Sequence, residues 1–348
     1  MPANSTHDAR RRRITVVGLL ISLLLATGCS KKALDDLPAG FPPAQAAPSP
    51  PVTRAAAGMV HPLDRRATAA VFDGRTGQLA LLSPGVDPTA PASLITIAGQ
   101  QTSPRTIPLP GPATGLVGDN AGTALLSTRG GYLEVDLSAG HVTRVGVHGA
   151  EHVDFSAITR RPDGTVVLGT EDGMLYSLKP AVPGASLTPV HVHVDSLVAQ
   201  GNTVAVLDRA LTSVTTVDAD GRVGQSLRAG QGATTMVADP AGRLLVSDTR
   251  GGQLLVFGVD PLILRQAYPV ADSPYGVTGS RGWAWVSQTA TNTVVGYDLS
   301  TGIPLEKVRY PSVRQPNALA YDDAAGTLYV ISGAGEGVQV IEHAAGPR

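Results

Sequence analysis

The chain has 348 residues, a formal net charge of −1, one cysteine and only 2 Trp, 8 Tyr and 4 Phe. A lone cysteine excludes intrachain disulfides, and scattered arginines with few lysines exclude the clustered positive footprint of a nucleic-acid binder. With so few aromatics, a core of this size must be filled by Val, Leu, Ala and Gly.

The first thirty residues have three parts. Arg10 to Arg13 form a positive block, Ile14 to Ala26 an apolar run, and small residues lead to Cys29. That order is the layout of a secretory signal peptide. The apolar run is shorter than the ~20 residues of a spanning helix. Ala26-Thr27-Gly28-Cys29 resembles a bacterial lipobox. The resemblance implies cleavage before Cys29 and a diacylglyceryl group on its thiol, anchoring the chain on the outer face of the cytoplasmic membrane. Two acyl chains suffice for lasting attachment. Arg11-Arg12-Arg13-Ile14 fits twin-arginine export loosely, and general secretion is the alternative. The first 28 residues hold four arginines and Asp8, hence +3. The chain from Cys29 on therefore carries −4 where the whole carries −1.

From Ser30 to about Val52 the chain is rich in Pro, Ala and Ser. Pro38, Pro42, Pro43, Pro48, Pro50 and Pro51 exclude helix and ladder, so this stretch reads as a semi-rigid tether. The organisation expected is a signal peptide over 1–28, a lipid-anchored linker over 29–56 and a folded domain over 57–348.

A repeat fills the rest. Asn317-Ala318-Leu319-Ala320-Tyr321 passes through an Asp/Gly turn to Thr327-Leu328-Tyr329-Val330-Ile331-Ser332, and Val338-Gln339-Val340-Ile341 follows. The same succession recurs with first strands near 67, 114, 154, 194, 233, 274 and 316, a step of about 40 residues. The early step is longer because Pro84 to Pro91 inserts a loop. Units of three or four short strands at this period are the signature of an all-β fold, a β-propeller. Seven blades fit best; six or eight remain open. The last unit ends after its third strand, so Ala57 to Leu63 is expected to supply the missing outer strand and close the ring. The first strands, rich in Ala, Gly, Ser and Thr, suit the crowded axis.

This repeat resembles the NHL/YVTN class of propellers. Over nearly its full length the chain also resembles a family of mycobacterial envelope lipoproteins. Arg228 to Met236, Arg250 to Val256 and Asp260 to Pro269 carry that likeness. It implies a lipid-anchored envelope protein and transfers no catalytic residue.

Chemistry is sparse. The loops after each second strand repeat a polar theme, which would gather Arg129, Asp172, Arg209, Asp248, Arg250 and Gln288 at one mouth of the channel. Arginine there offers a bidentate fork for a polar or anionic ligand; loop solubility and ion pairs between blades are the alternative. His191 and His193 alternate in what reads as an outer strand. His148, Glu151, His152 and Asp154 form a denser cluster between blades, a weak candidate for a metal. Asp218-Ala219-Asp220-Gly221 fits a hairpin turn. No catalytic residue, metal site or cofactor is assigned. The expectation is a monomeric domain that binds a protein or other envelope component. A lactonase-like envelope hydrolase is the alternative.

Overall fold

The computed structural model describes residues 41–98 and 103–346. The expected signal peptide, Cys29 and the first part of the expected tether lie outside them. Among the described residues the strands form seven four-stranded antiparallel sheets. One short 3-10 turn, Thr289–Thr291, is the only helical element described. The expected seven-bladed propeller is what the chain builds.

Blades 1 to 6 take their four strands consecutively from the chain, beginning at Ala69, Leu116, Phe155, Ser196, Ala233 and Pro274. Blade 7 takes Pro316–Asp322, Thr327–Ser332 and Val338–Ile341 from the end of the chain and its outermost strand, Met59–His61, from near the beginning. That strand pairs Met59 with Val340, Val60 with Gln339 and His61 with Val338. Gln339 reinforces the join, its Nε2 donating to the carbonyl of Ala57 at 2.8 Å. Gly58 enters the strand with φ of +71°, and a Cβ there would stand 2.1 Å from the carbonyl oxygen of Val340. Only glycine fits such an approach.

Strand alternation explains the packing. Successive side chains point to opposite faces. In the second strand of blade 2, Leu126 faces blade 1 with Leu82 and Leu94, while Leu125 faces blade 3 with Ile158 and Leu168. Each of the seven junctions between neighbouring blades carries such an apolar cluster. The one that seals the ring joins Leu79, Leu81, Ile95 and Ile97 of blade 1 to Tyr329, Ile331 and Val338 of blade 7. Innermost strands of consecutive blades touch all the way round.

Polar links add to these junctions on the face holding the first-to-second strand turns, here called the bottom. Arg161 Nη2 donates to the carbonyl of Asp218 at 2.7 Å, and Gln200 Nε2 to that of Asp239 at 2.9 Å. Asp73, fully buried at the end of its strand, accepts from Thr76 N at 2.8 Å and Oγ1 at 2.7 Å in its own turn, and from Gly122 N of blade 2 at 2.8 Å. Burial alone would raise its pKa. The hydrogen bonds from Thr76 and Gly122 and the charge of Arg75 outweigh that and hold it below the ordinary 3.8.

Three outcomes are expected. Ile331→Ala empties a fully buried position at the sealing junction and should destabilise by about 2–5 kcal/mol in urea unfolding. Val223→Ala, on an exposed outer strand, should stay within about 0.5 kcal/mol. For Asp73, a depressed folded-state pKa means that its stabilisation is present above the unfolded value and is lost as pH falls through the folded one. Asp73→Asn should therefore flatten the acid limb of a stability-against-pH curve below about pH 4.

Candidate functional site

The antiparallel order puts the second-to-third strand loops and the blade-to-blade connections on the same face, opposite the bottom. This top face holds every residue singled out above as a mouth or cluster residue, and the structure separates them into three groups.

The first group is buried. The last residue of each second strand is polar and nearly or wholly inaccessible: Ser83, Thr128, Thr170, Asp208, Asp248, Gln288 and Ser332. Most of them clip the connection arriving from the previous blade. Thr128 Oγ1 donates to Pro112 O at 2.7 Å, Gln288 Nε2 to Ala271 O at 3.0 Å, and Ser332 Oγ to Arg314 O at 2.7 Å. Asp208 accepts from His193 N and Leu211 N at 2.8 and 2.7 Å. Asp248 is the fullest case, accepting from Gln231 N at 3.0 Å, Gly232 N at 2.8 Å and Gly251 N at 3.0 Å. Thus Asp248 and Gln288 are turned into the blade junctions, with their polar atoms engaged by the protein, rather than out into the mouth.

The second group is covered. Residues 42–50 of the Pro-rich stretch do not leave the domain as a spacer. They lie along the top face over blades 4 to 7, as part of the same compact unit as the propeller. Arg250 Nη2 donates to Pro42 O at 2.7 Å and Arg209 Nη2 to Ala44 O at 2.8 Å. Gln315 receives Ser49 N at 2.9 Å on Oε1 and donates through Nε2 to Ala47 O at 3.1 Å. Ala47 N donates to Ser273 Oγ at 3.0 Å, Ser49 Oγ to Thr289 O at 2.6 Å, and Asn292 Nδ2 to Pro50 O at 2.8 Å. Ala44 and Ser49 are only 5% and 6% exposed. Sequence reasoning missed this strap because proline-rich stretches lack the donors for regular pairing. The signal available was the non-proline residues between the prolines, which supply the two N–H groups that the face receives at Ala47 and Ser49.

The third group is open. Over blades 2 and 3, Arg129 lies 3.8 Å from Asp154, with side chains 58% and 77% exposed. His148 lies 3.9 Å from Glu151 in the connection between these blades. Hydrogen bonds, including that from Gly149 N to the Glu151 carboxylate at 2.9 Å, hold the latter's pKa down. His152 is exposed in the same connection, and Asp172 stands exposed in the next blade, accepting from Thr170 Oγ1. Among the described residues no group of three His, Cys, Asp or Glu is arranged to hold a metal ion.

A further expectation is corrected. His191 and His193 are not in an outer strand. That strand, Ser186–Pro189, stops at its proline, and both histidines fall in the following connection, His191 with φ of +56°. Asp218 to Gly221 forms the hairpin turn expected, closed by Gly221 N on Asp218 O at 3.1 Å.

No family model matches the chain, and no curated protein does. Solved structures share its fold. A streptogramin B lyase superposes with a TM-score of 0.66 at 10% identity, covering 82% of this chain and 97% of its own. Virginiamycin B lyase from Staphylococcus aureus gives 0.64 at 11%, covering 80% and 97%. A chain of a mitotic checkpoint complex gives 0.64 at 11%, covering 91% and 99%. At such identities the likeness is one of fold alone. No helix among the described residues is long and apolar enough to cross a membrane.

Asp248→Ala should strand three backbone donors and destabilise by about 3 kcal/mol in urea unfolding. Asp172→Ala, on the exposed second-to-third strand loop of blade 3, should change stability by less than about 0.5 kcal/mol.

Proposed function

We propose that this chain is an envelope lipoprotein, anchored through a diacylglyceryl group on Cys29, whose propeller binds a protein or other envelope component on its top face. The single observation that carries the binding role is that this face already grips an extended polypeptide, giving Arg209, Arg250, Asn292 and Gln315 to main-chain carbonyls of residues 42–50. The loops of a propeller are rigidly mounted and the charged arc at Arg129, Asp154 and Asp172 is left free for a partner. Anchoring rests on the lipobox resemblance at Ala26 to Cys29. The resemblance to the mycobacterial lipoprotein LppL, carried by Arg228 to Met236 and the two stretches after it, supports an outer-face location on the cytoplasmic membrane. Propellers of this shape serve as lyases and as parts of protein assemblies, so fold does not choose between chemistry and binding.

Two measurements test the reading. A Cys29→Ala precursor is expected to lose metabolic lipid labelling and cleavage before residue 29; labelling that survives removes the anchor. The full-length protein, cross-linked in membranes, is expected to capture a defined envelope component that the doubly substituted Arg129→Ala/Asp172→Ala protein captures at least tenfold less. Equal capture by two equally stable proteins removes the open arc as the binding surface. Turnover of a lactone or ester by the purified protein would replace binding with hydrolysis.

A further inference from the structure

The strap shows what the covered part of the top face is built to hold. We propose that blades 4 to 7 form a groove for an extended peptide rich in proline and small residues, that residues 42–50 fill it in cis, and that a partner peptide of the same chemistry competes for it. This rests on the top face being the binding face and specifies the ligand class for its covered half.

Recognition in the groove is almost entirely of main chain. Arg250, Arg209, Gln315 and Asn292 each donate to a carbonyl, at Pro42, Ala44, Ala47 and Pro50. Acceptors are offered at just two backbone positions, Ala47 N to Ser273 Oγ and Ser49 N to Gln315 Oε1. Those are non-proline positions. At 42, 43, 48 and 50 the strap has proline, which has no N–H to satisfy. A groove rich in donors and poor in acceptors suits a proline-rich segment, whose carbonyls point outward and whose extended form is set before binding.

Size is selected too. Ala44 is buried against Gly232, where a Cβ would stand 2.8 Å from its own. Ser49 is buried with its hydroxyl donating to Thr289 O and accepting from Gln315 N at 3.0 Å. Larger side chains at either place would meet the floor.

The occupant is replaceable. Arg209 spends Nη2 on Ala44 O but leaves Nε buried and without a partner, so the strap does not satisfy this guanidinium fully. Lifting the strap does not open the ring, because the chain is held again downstream. Ala57 N donates to Pro311 O at 3.0 Å, and Met59–His61 is paired in blade 7. A tethered occupant competes at an effective concentration on the order of millimolar, so free peptide gains access only when the strap is weakened or the ligand is presented densely.

The test uses the whole chain and a labelled peptide with the sequence of residues 42–52. Wild-type protein is expected to bind it poorly in fluorescence anisotropy. A strap-weakened protein, Ala44→Leu/Ser49→Ala, should bind it at least tenfold more tightly, and adding Gln315→Ala should abolish the gain. A peptide carrying leucine at the position of Ala44 should not bind. Equal peptide affinity in wild-type and strap-weakened proteins of equal melting temperature would overturn the proposal. So would a gain that survives Gln315→Ala. If the strap-weakened protein instead dimerises and the peptide fails to dissociate it, the groove belongs to a second copy and the proposal falls. Should the variants misfold, hydrogen exchange on wild-type protein decides: the amides of Ala47 and Ser49 should be protected at least a hundredfold, and exchange at free-peptide rates overturns the groove. Capture through Arg129 and Asp172 is a separate measurement, so failure of the open arc and failure of the groove are distinguishable.

Discussion

Each sheet of this protein is apolar on both faces, and a sheet with two apolar faces has to be covered twice. The second strands carry Leu, Val and Ile to both sides, as Leu125 and Leu126 show by facing different neighbours. A single blade has no core of its own. Only a closed ring gives every face a partner, because an open row would leave two uncovered. The pairing of Met59–His61 with Val338–Ile341 belongs to the blade that meets blade 1 across the sealing cluster. The small first strands, the buried polar clips and the bottom-face links all presuppose that circle.

Much of the circle could be read from the residues. The 40-residue step, the Asp/Gly turns and the short last unit pointed to seven blades completed by the stretch around Ala57 to Leu63. The period reveals position along a strand but not which way a loop residue turns. Asp248 and Gln288 sit where a polar residue recurs in every blade, and that recurrence is what a mouth ring and a set of internal clips have in common. Three inward N–H groups aim at Asp248, and only the folded backbone shows them. Proline content misleads in a similar way. Missing donors argue against ladders, yet they suit a surface that mostly donates, so Pro42 to Pro50 is bound rather than free.

The top face is thereby divided by chemistry. Over blades 4 to 7 its donors are spent on the chain's own carbonyls and its floor admits small side chains. Over blades 2 and 3 it presents loose ion pairs such as Arg129 with Asp154, exposed enough that each contributes little to stability. Charges held that weakly are available to others. A partner that met both halves would read carbonyls and small residues on one side and opposite charges on the other.

The join in blade 7 also sets an order of events in time. Gln339 finds Ala57 across 282 residues of chain. Until the final strands have been synthesised, the early strand Met59–His61 has nothing to pair with, and blade 1 waits with one face wet. Contacts so distant along the chain slow the search for the native state. Completion is thus deferred to the last few dozen residues, and a truncated product is left with an unsealed seam instead of one blade fewer.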